Sequence, residues 1–134
     1  MGNRANFAFV DNKGDAIVLY GHWAGSDMLK NLADAVGHAR SRWNDSAYAT
    51  RIVTSRLIGD QWNMETGWGL TVNEILDNEH KIPVIDWNQQ TFSLHEEADF
   101  RDEGNKVRGM KNEAIFTMDL STFVEKYSDH LLPV

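Results

Sequence analysis

Residues 16–25 combine a five-residue apolar run with a His-Trp pair that stands between two glycines. An apolar run of this length with turn residues on both sides predicts a buried central strand. Gly21 and Gly25 let the backbone turn sharply around His22-Trp23, which places the pair at the end of the strand. This position suits a binding site, and it suits equally a Trp that plugs the core. We expect Trp23 to be a partly buried wall and His22 to be exposed at the mouth of the site.

The flanking patterns predict a hairpin followed by two helices. Residues 6–11 alternate in hydropathy and lead into a turn at 12–15, so they pair with the central strand as an antiparallel hairpin. Ser26 is the expected cap of a first helix, whose apolar residues recur every three or four positions. A second cap at 44–46 begins another helix, and the short connection predicts an antiparallel helix pair lying on the sheet.

Patterns of period two return in the second half of the chain, and they predict a three-stranded meander. The stretches with this period are 66–76, 82–87 and 91–95. Pro83 indicates an edge position or an irregular start. A further strand at 113–119 precedes a short C-terminal helix capped by Ser121. These elements define an α+β fold in which an antiparallel sheet, made of the N-terminal hairpin and a C-terminal meander, packs against the helix pair.

The length of 134 residues fits a single domain, 1–134, and a hydrophobic content of 42% is sufficient for a packed core. The charged stretch at 96–112 is predicted to be a long acidic loop. The absence of Cys excludes disulfides and thiolate metal sites and suits the reducing cytoplasm. No apolar run approaches the roughly 20 residues that span a bilayer, so we expect no contact with a membrane.

The net charge of −7 is concentrated in the second half of the chain. Residues 1–64 carry seven Lys or Arg against six Asp or Glu, whereas residues 65–134 carry six against fourteen. An acidic surface repels the phosphate backbone, so we expect no direct binding to nucleic acid. The charge either keeps the protein in solution or forms a face that docks on a basic protein.

The sequence carries no recognisable catalytic or metal-binding motif. Its five His follow no compact ligand spacing, and no Ser lies in a G-x-S-x-G turn. The G-x-G at residues 67–69 does not open a helix, so it is not a dinucleotide fingerprint. We therefore expect a non-enzymatic protein without metal or cofactor. The alternative is an enzyme of unrecognised type in which His22 is the general base and Glu74 or Asp86 orients it.

Five Trp and the concentration of Arg in the first half of the chain are the strongest functional signal. Arg recognises carboxylate or phosphate groups with two parallel hydrogen bonds, and Trp stacks on bases or forms the centre of protein interfaces. The predicted ligand-binding residues are Arg4, His22, Trp23, Arg42 and Trp68. They would sequester a small phosphorylated ligand or mask the surface of a host protein. In the alternative interpretation, the Trp residues fill the core and the Arg residues pair with acids on the surface.

Several segments resemble a group of small uncharacterised proteins encoded by bacteriophages and prophages. They are Asn3-Arg4-Ala5-Asn6-Phe7, Leu19-Tyr20-Gly21-His22-Trp23-Ala24-Gly25-Ser26, Arg42-Trp43, Glu65-Thr66-Gly67-Trp68-Gly69 and Asp77-Asn78-Glu79-His80. The resemblance covers roughly the first ninety residues. It implies a phage or prophage origin and a cytoplasmic location in the bacterial host. By analogy with such small acidic proteins, it also implies a host-takeover or anti-defence role.

We also predict a homodimer at micromolar concentration. A hairpin and a meander leave at least one sheet edge unpaired, and Pro83 protects only part of one strand. The first helix carries Ala33, Gly37 and Ala39 beside its larger apolar residues. Small residues of this kind allow a second helix to pack closely.

Overall fold

The computed structural model describes residues 3–97 and 114–128. The strands are β1 (Ala5–Val10), β2 (Ala16–Gly21), β3 (Trp68–Val72), β4 (Ile82–Asp86), β5 (Thr91–His95) and β6 (Phe116–Asp119). The helices are α1 (Met28–His38), α2 (Ser46–Ile58) and α3 (Leu120–Tyr127), with 3₁₀ turns at Arg40–Arg42 and Gly59–Asn63. The six strands of the described residues form one open sheet in the order β3-β2-β1-β4-β5-β6. The predicted α+β class is confirmed.

The sheet is mixed, with one parallel pair among antiparallel ones. β1 and β2 form the predicted hairpin, in which Ala5 lies opposite Gly21. β4 runs parallel to β1, with Ala8 opposite Val84. The membership of the predicted meander is wrong, because β3 pairs with β2 while β4, β5 and β6 form the meander. Hydropathy of period two identifies a strand but not its neighbour, which is why the sequence placed β3 beside β4.

Of the two alternatives that Pro83 indicated, the edge position is wrong, because β4 is an interior strand, whereas an irregular start agrees with the pairing of the strand. β4 is flanked by β1 on one side and by β5 on the other. The residues that pair with β1 begin at Val84. The missing N–H of Pro83 therefore falls just before the parallel ladder, where an interior strand tolerates it.

The main core lies between the sheet and the three helices. Phe7 and Phe9 from β1 and Leu19 from β2 are fully buried in it. Phe92 of β5 stacks on Phe123 of α3, with ring centroids 3.9 Å apart and planes 9° apart. Burial of a side chain of this size contributes about 1.5–3 kcal/mol, so the stacked pair ties α3 firmly to the sheet.

The small residues of α1 and of its C-cap, Ala39, are used for packing inside the protein. Ala33 and Ala39 are fully buried, and a Cβ atom added to Gly37 would lie 3.0 Å from Val124 of α3. Gly37 therefore allows α3 to approach α1 closely. This stripe does not provide the open helix surface that we expected to support a dimer.

The opposite face of the sheet is covered by residues 73–81, which connect β3 to β4. Ile75 from this connection is 2% exposed and belongs to a second apolar cluster on that face. The fully buried Asn6 holds the connection in place. Its Oδ1 accepts a hydrogen bond from Leu76 N at 3.1 Å, and its Nδ2 donates to Leu76 O at 3.2 Å. A satisfied buried amide of this kind fixes the path of the residues that follow.

Two of the three predicted helix caps are corrected. Ser26 does not cap α1, because the N-cap position is Asp27, whose side chain makes no capping hydrogen bond. The Ser26 hydroxyl accepts a hydrogen bond from Asn3 Nδ2 at 2.7 Å instead. Ser121 lies inside α3, whose N-terminus is capped by the carboxylate of Asp119. The helix begins earlier than predicted because β6 leads directly into it. The cap of α2 is Asp45, within the predicted segment.

The predicted acidic loop at 96–112 lies outside the described residues, apart from Glu96 and Glu97. These two residues follow β5, whose last residue, His95, pairs with Ile82. In the part of the chain that the structure describes, no helix is long and apolar enough to cross a membrane.

Candidate functional site

The His22-Trp23 pair lies where β2 ends, between the N-terminal segment and the residue that precedes β3. The backbone N–H of His22 donates to Gly67 O at 2.9 Å, and the His22 carbonyl oxygen accepts from Asn3 N at 3.0 Å. Gly25 N donates to Asn3 O at 2.9 Å. Backbone hydrogen bonds thus hold the pair on both sides, so its side chains project from a rigid frame.

The two flanking glycines are required for close packing and not for an unusual backbone conformation. Gly21 lies opposite Trp68 across the β2–β3 ladder, and a Cβ on Gly21 would stand 2.7 Å from the Trp68 ring. A Cβ on Gly25 would collide with the side chains of His80 and Asn3. Neither glycine has a positive φ. Any larger residue at either position would push these neighbours apart.

Trp23 is the exposed member of the pair, and His22 is the partly buried one. Trp23 is 64% exposed, whereas His22 Nδ1 is hydrogen-bonded to the Tyr20 hydroxyl at 2.9 Å. Our expectation of a Trp23 wall and a His22 mouth is therefore wrong. Strand alternation explains why His22 is the less exposed of the two residues. Residues two apart in a strand point to the same side of the sheet, so the Tyr20 side chain lies beside His22 and shields it.

Two contacts hold the exposed indole of Trp23 in place. Its ring meets the His22 imidazole edge to face, with centroids 4.5 Å apart and planes at 79°. The ring also lies against Gly67, where a Cβ would stand 3.6 Å from it. Gly67 has a φ of +100°, a conformation that other residues rarely adopt. A large aromatic surface is therefore presented to solvent in a defined orientation.

Trp68 lies beside the pair at the start of β3. Its Nε1 donates to Gln61 Oε1 at 2.6 Å, and its ring covers Gly21. In the neighbouring pair of the ladder, Tyr20 lies opposite Gly69. Gly21 and Gly69 thus each have an aromatic residue opposite them on the neighbouring strand, and its ring fills the space that a side chain would occupy. The G-x-G of the sequence is a strand-packing feature.

Arg4 reaches this end of the sheet, where two carboxylates neutralise it. Its Nε lies 3.2 Å from Asp77 Oδ2 and 3.8 Å from Glu79 Oε1. The backbone N–H of Arg4 donates to Glu79 Oε1 at 2.9 Å. This hydrogen bond, reinforced by the positive charge of Arg4, lowers the pKa of Glu79. Arg4 therefore clamps the 77–79 segment and is poorly placed to bind an anionic ligand.

Arg42 lies at the opposite end of the sheet. Its neighbour Asn44 accepts a hydrogen bond from Gln90, in the turn between β4 and β5. That turn follows Asp86, which pairs with Val10 at the last residue of β1. Four of the five predicted site residues are brought together, and Arg42 is not among them. The four that share one end are Arg4, His22, Trp23 and Trp68.

The two acids proposed as partners of His22 also lie at the far end of the strands. Asp86 pairs with Val10, and Glu74 follows the end of β3 that is remote from Trp68. His22 instead acts on the carboxylate of Glu79. It helps to lower the pKa of Glu79, with a smaller effect than Arg4 and His80. The expected contact between His22 and an orienting acid is thus replaced by the contact with a tyrosine hydroxyl.

Sequence reasoning missed Asn3 and His80, which complete this end of the protein. The side-chain carbonyl of Asn3 accepts a hydrogen bond from His80 Nε2, and its amide donates to Ser26 Oγ. The 77–80 segment has the composition of a turn, and its position depends on the distant Asn6. No local pattern could have indicated that it lies beside His22.

An open depression of about 570 Å³ lies next to His80. The charged residues that line it beside His80 are Glu79, Lys81, Glu96 and Glu97. Lys81 Nζ pairs with Glu96 Oε1 at 3.6 Å. Acids outnumber bases in this lining, so the depression is a poor site for a phosphorylated ligand.

Within residues 3–97 and 114–128, no three His, Cys, Asp or Glu residues are grouped so that they could hold a metal ion. No protein-family model matches the chain, and no curated protein or solved structure matches it either.

Proposed function

We propose that this protein is a non-enzymatic binding protein whose His22-Trp23 pair masks a surface of another protein. One observation carries the proposal: Trp23 is 64% exposed and is nevertheless held by contacts with His22 and Gly67. A rigid aromatic side chain loses little conformational entropy on binding, and Trp is enriched at the energetic centres of protein interfaces.

The charges near Trp23 favour a basic partner. Asp27 is exposed and follows Trp23 by four residues along the chain, and Glu65 is exposed two residues before Gly67, which the Trp23 ring contacts. The side chain of Asp77 is 75% exposed, and Arg4 is already compensated by two acids. An acidic rim around an aromatic centre accelerates association with a basic surface and discriminates against acidic ones.

A small phosphorylated ligand has less support than a protein partner. Arg4 is engaged by Asp77 and Glu79, and the Arg42 guanidinium stacks over the Tyr48 ring, 5.2 Å from its centre, away from Trp23. A thermal-shift panel of nucleotides and cyclic nucleotides at millimolar concentration tests this version. We expect no shift in melting temperature.

We further propose that the partner is a host or defence component in the cytoplasm of an infected bacterium. This part of the proposal is supported by the resemblance of residues 3–7 and 19–26 to small phage and prophage proteins.

Affinity capture from a bacterial lysate tests the proposal with two matched variants. Trp23→Ala removes an aromatic residue that is 64% exposed, and Tyr48→Ala removes one that is 60% exposed at the other end of the sheet. We expect a partner that is retained by the wild type and by Tyr48→Ala and is lost with Trp23→Ala. Equal retention by all three proteins would contradict the proposal.

A further inference from the structure

β3 is an edge strand of the sheet that the described residues form, with β2 as its neighbour. The hydrogen bonds at the two ends of this ladder run from His22 N to Gly67 O and from Asn73 N to Ala16 O. Because hydrogen-bonded pairs alternate in an antiparallel ladder, every second residue between Gly67 and Asn73 also bonds to β2. The residues whose backbone groups point away from β2 are Trp68, Leu70 and Val72.

Apolar side chains flank this edge on the helix side of the sheet. Leu70 is 63% exposed and Val72 is 64% exposed, and Ile17 of β2 is partly exposed beside them. Trp62 and Met64, which precede β3, are each about half exposed. These two residues and Leu70 line a shared depression of about 200 Å³. Contiguous exposed apolar surface of this kind marks an interaction site.

We infer that this edge binds a second copy of the chain, with two β3 strands pairing antiparallel around a two-fold axis at Leu70. In this register Leu70 lies opposite Leu70 of the partner subunit, and Trp68 lies opposite Val72 of the partner subunit. The two six-stranded sheets then join into one continuous sheet.

The register follows from the hydrogen-bonding pattern of the edge. A two-fold interface brings one surface against an identical copy of itself, so the strand must match itself in the reverse direction. With the axis at Leu70, all three outward-pointing residues meet outward-pointing residues of the partner. If the register shifted by one residue, backbone groups that point away from β2 would lie opposite residues whose groups point toward β2, and no hydrogen bonds could form. If it shifted by two residues, one outward-pointing residue on each strand would have no partner.

The absence of charge on the edge strand permits pairing with a second copy. Each chain carries a net charge of −7, but β3 reads Trp-Gly-Leu-Thr-Val and contains no charged residue. The axis therefore brings no like charges into direct opposition within the strand. A specific interface buries more than about 1,000 Å² in total, so strand pairing has to be accompanied by side-chain contact. Val72 of the partner subunit, placed beside Trp68, would supply that contact next to the depression.

Sedimentation equilibrium from about 1 to about 100 micromolar tests the inference. The wild type should approach twice the monomer mass of 15.3 kDa. Leu70→Lys and Leu70→Glu should each remain monomeric, because each places like charges opposite one another at the axis. Far-UV circular dichroism should show both variants folded, since Leu70 is 63% exposed. A wild type that stays monomeric throughout overturns the inference.

A mixture of the two charge variants tests the position of the axis. If Leu70 faces Leu70 of the partner subunit, Leu70→Lys and Leu70→Glu should form a mixed dimer although neither dimerises alone. Thr117→Lys, at an exposed position of β6 on the other edge, is the matched control and should dimerise like the wild type. A mixture that stays monomeric, or a dimer lost in Thr117→Lys and kept in Leu70→Lys, overturns the inference.

Discussion

Gly21→Ala tests whether the glycines beside His22-Trp23 serve close packing. The added Cβ would stand 2.5 Å from the Ala24 Cβ and 2.7 Å from the Trp68 ring, which is about 1 Å inside ordinary carbon contact. Gly21 is paired with Ala5 on one side and with Trp68 on the other, so its backbone has little room to move. Overpacking of this kind costs about 1–3 kcal/mol. Replacing Gly recovers at most about 1 kcal/mol, because it reduces the conformational entropy of the unfolded chain. Two contacts below 3.0 Å put the overpacking cost in the upper part of its range, so we expect a net loss of about 1–2 kcal/mol.

Gly69→Ala is the matched control for this prediction. A Cβ on Gly69 would have Tyr20 as its nearest neighbour at 3.9 Å, which is ordinary van der Waals contact, and Gly69 has no positive φ. Its urea midpoint should equal or slightly exceed that of the wild type. Urea unfolding followed by tryptophan fluorescence measures both variants, provided that the denaturant slope is unchanged. A Gly21→Ala protein as stable as the wild type would refute the argument that Gly21 is required for close packing. The role of Gly21 would then be to let the chain turn.

Three further predictions concern residues around the same end of the sheet and the helix pair. Truncation of a buried Trp costs about 3–5 kcal/mol, but Trp23 is 64% exposed, so Trp23→Ala should lower the free energy of unfolding by only about 1–2 kcal/mol. The pKa of Glu79 is lowered from its ordinary value of 4.5, first by the Arg4 backbone hydrogen bond. Its contribution to stability is therefore present above that value and is lost as the pH falls through the folded pKa. Glu79→Gln should accordingly have a lower urea midpoint than the wild type at neutral pH, and the difference should disappear in acid. Asp45→Ala removes the cap of α2 and should lower the free energy of unfolding by about 1 kcal/mol in the same assay.

The hairpin and the helix pair could be predicted because their signals are local. The turn at residues 12–15 joins two apolar strands, and Asp45 caps α2 within the segment 44–46 whose composition predicts a cap. The parallel pairing of β1 with β4 could not be predicted in this way. It depends on residues 73–81 crossing a face of the sheet, where Ile75 is buried and Asn6 bonds their backbone. Neither residue signals that role in its own sequence neighbourhood.

The location of the site could be predicted more closely than its details. The strand-end position of His22-Trp23 follows from the apolar run and its glycines. Which of the two side chains is exposed depends on Tyr20, which bonds His22, and on Gly67, which leaves a place for the Trp23 ring. The prediction that Arg42 lies beside the pair rests on residue type alone, and residue type carries no information on position.

Photo-crosslinking tests the central claim most directly, because it reports which side chain touches the partner. A benzophenone amino acid is introduced in place of Trp23 in one protein and in place of Tyr48 in another, and both are irradiated in the bacterial host. These positions are similarly exposed, at 64% and 60%. We expect a crosslinked partner from position 23 and none from position 48. A crosslink from position 48 with none from position 23 would contradict the account.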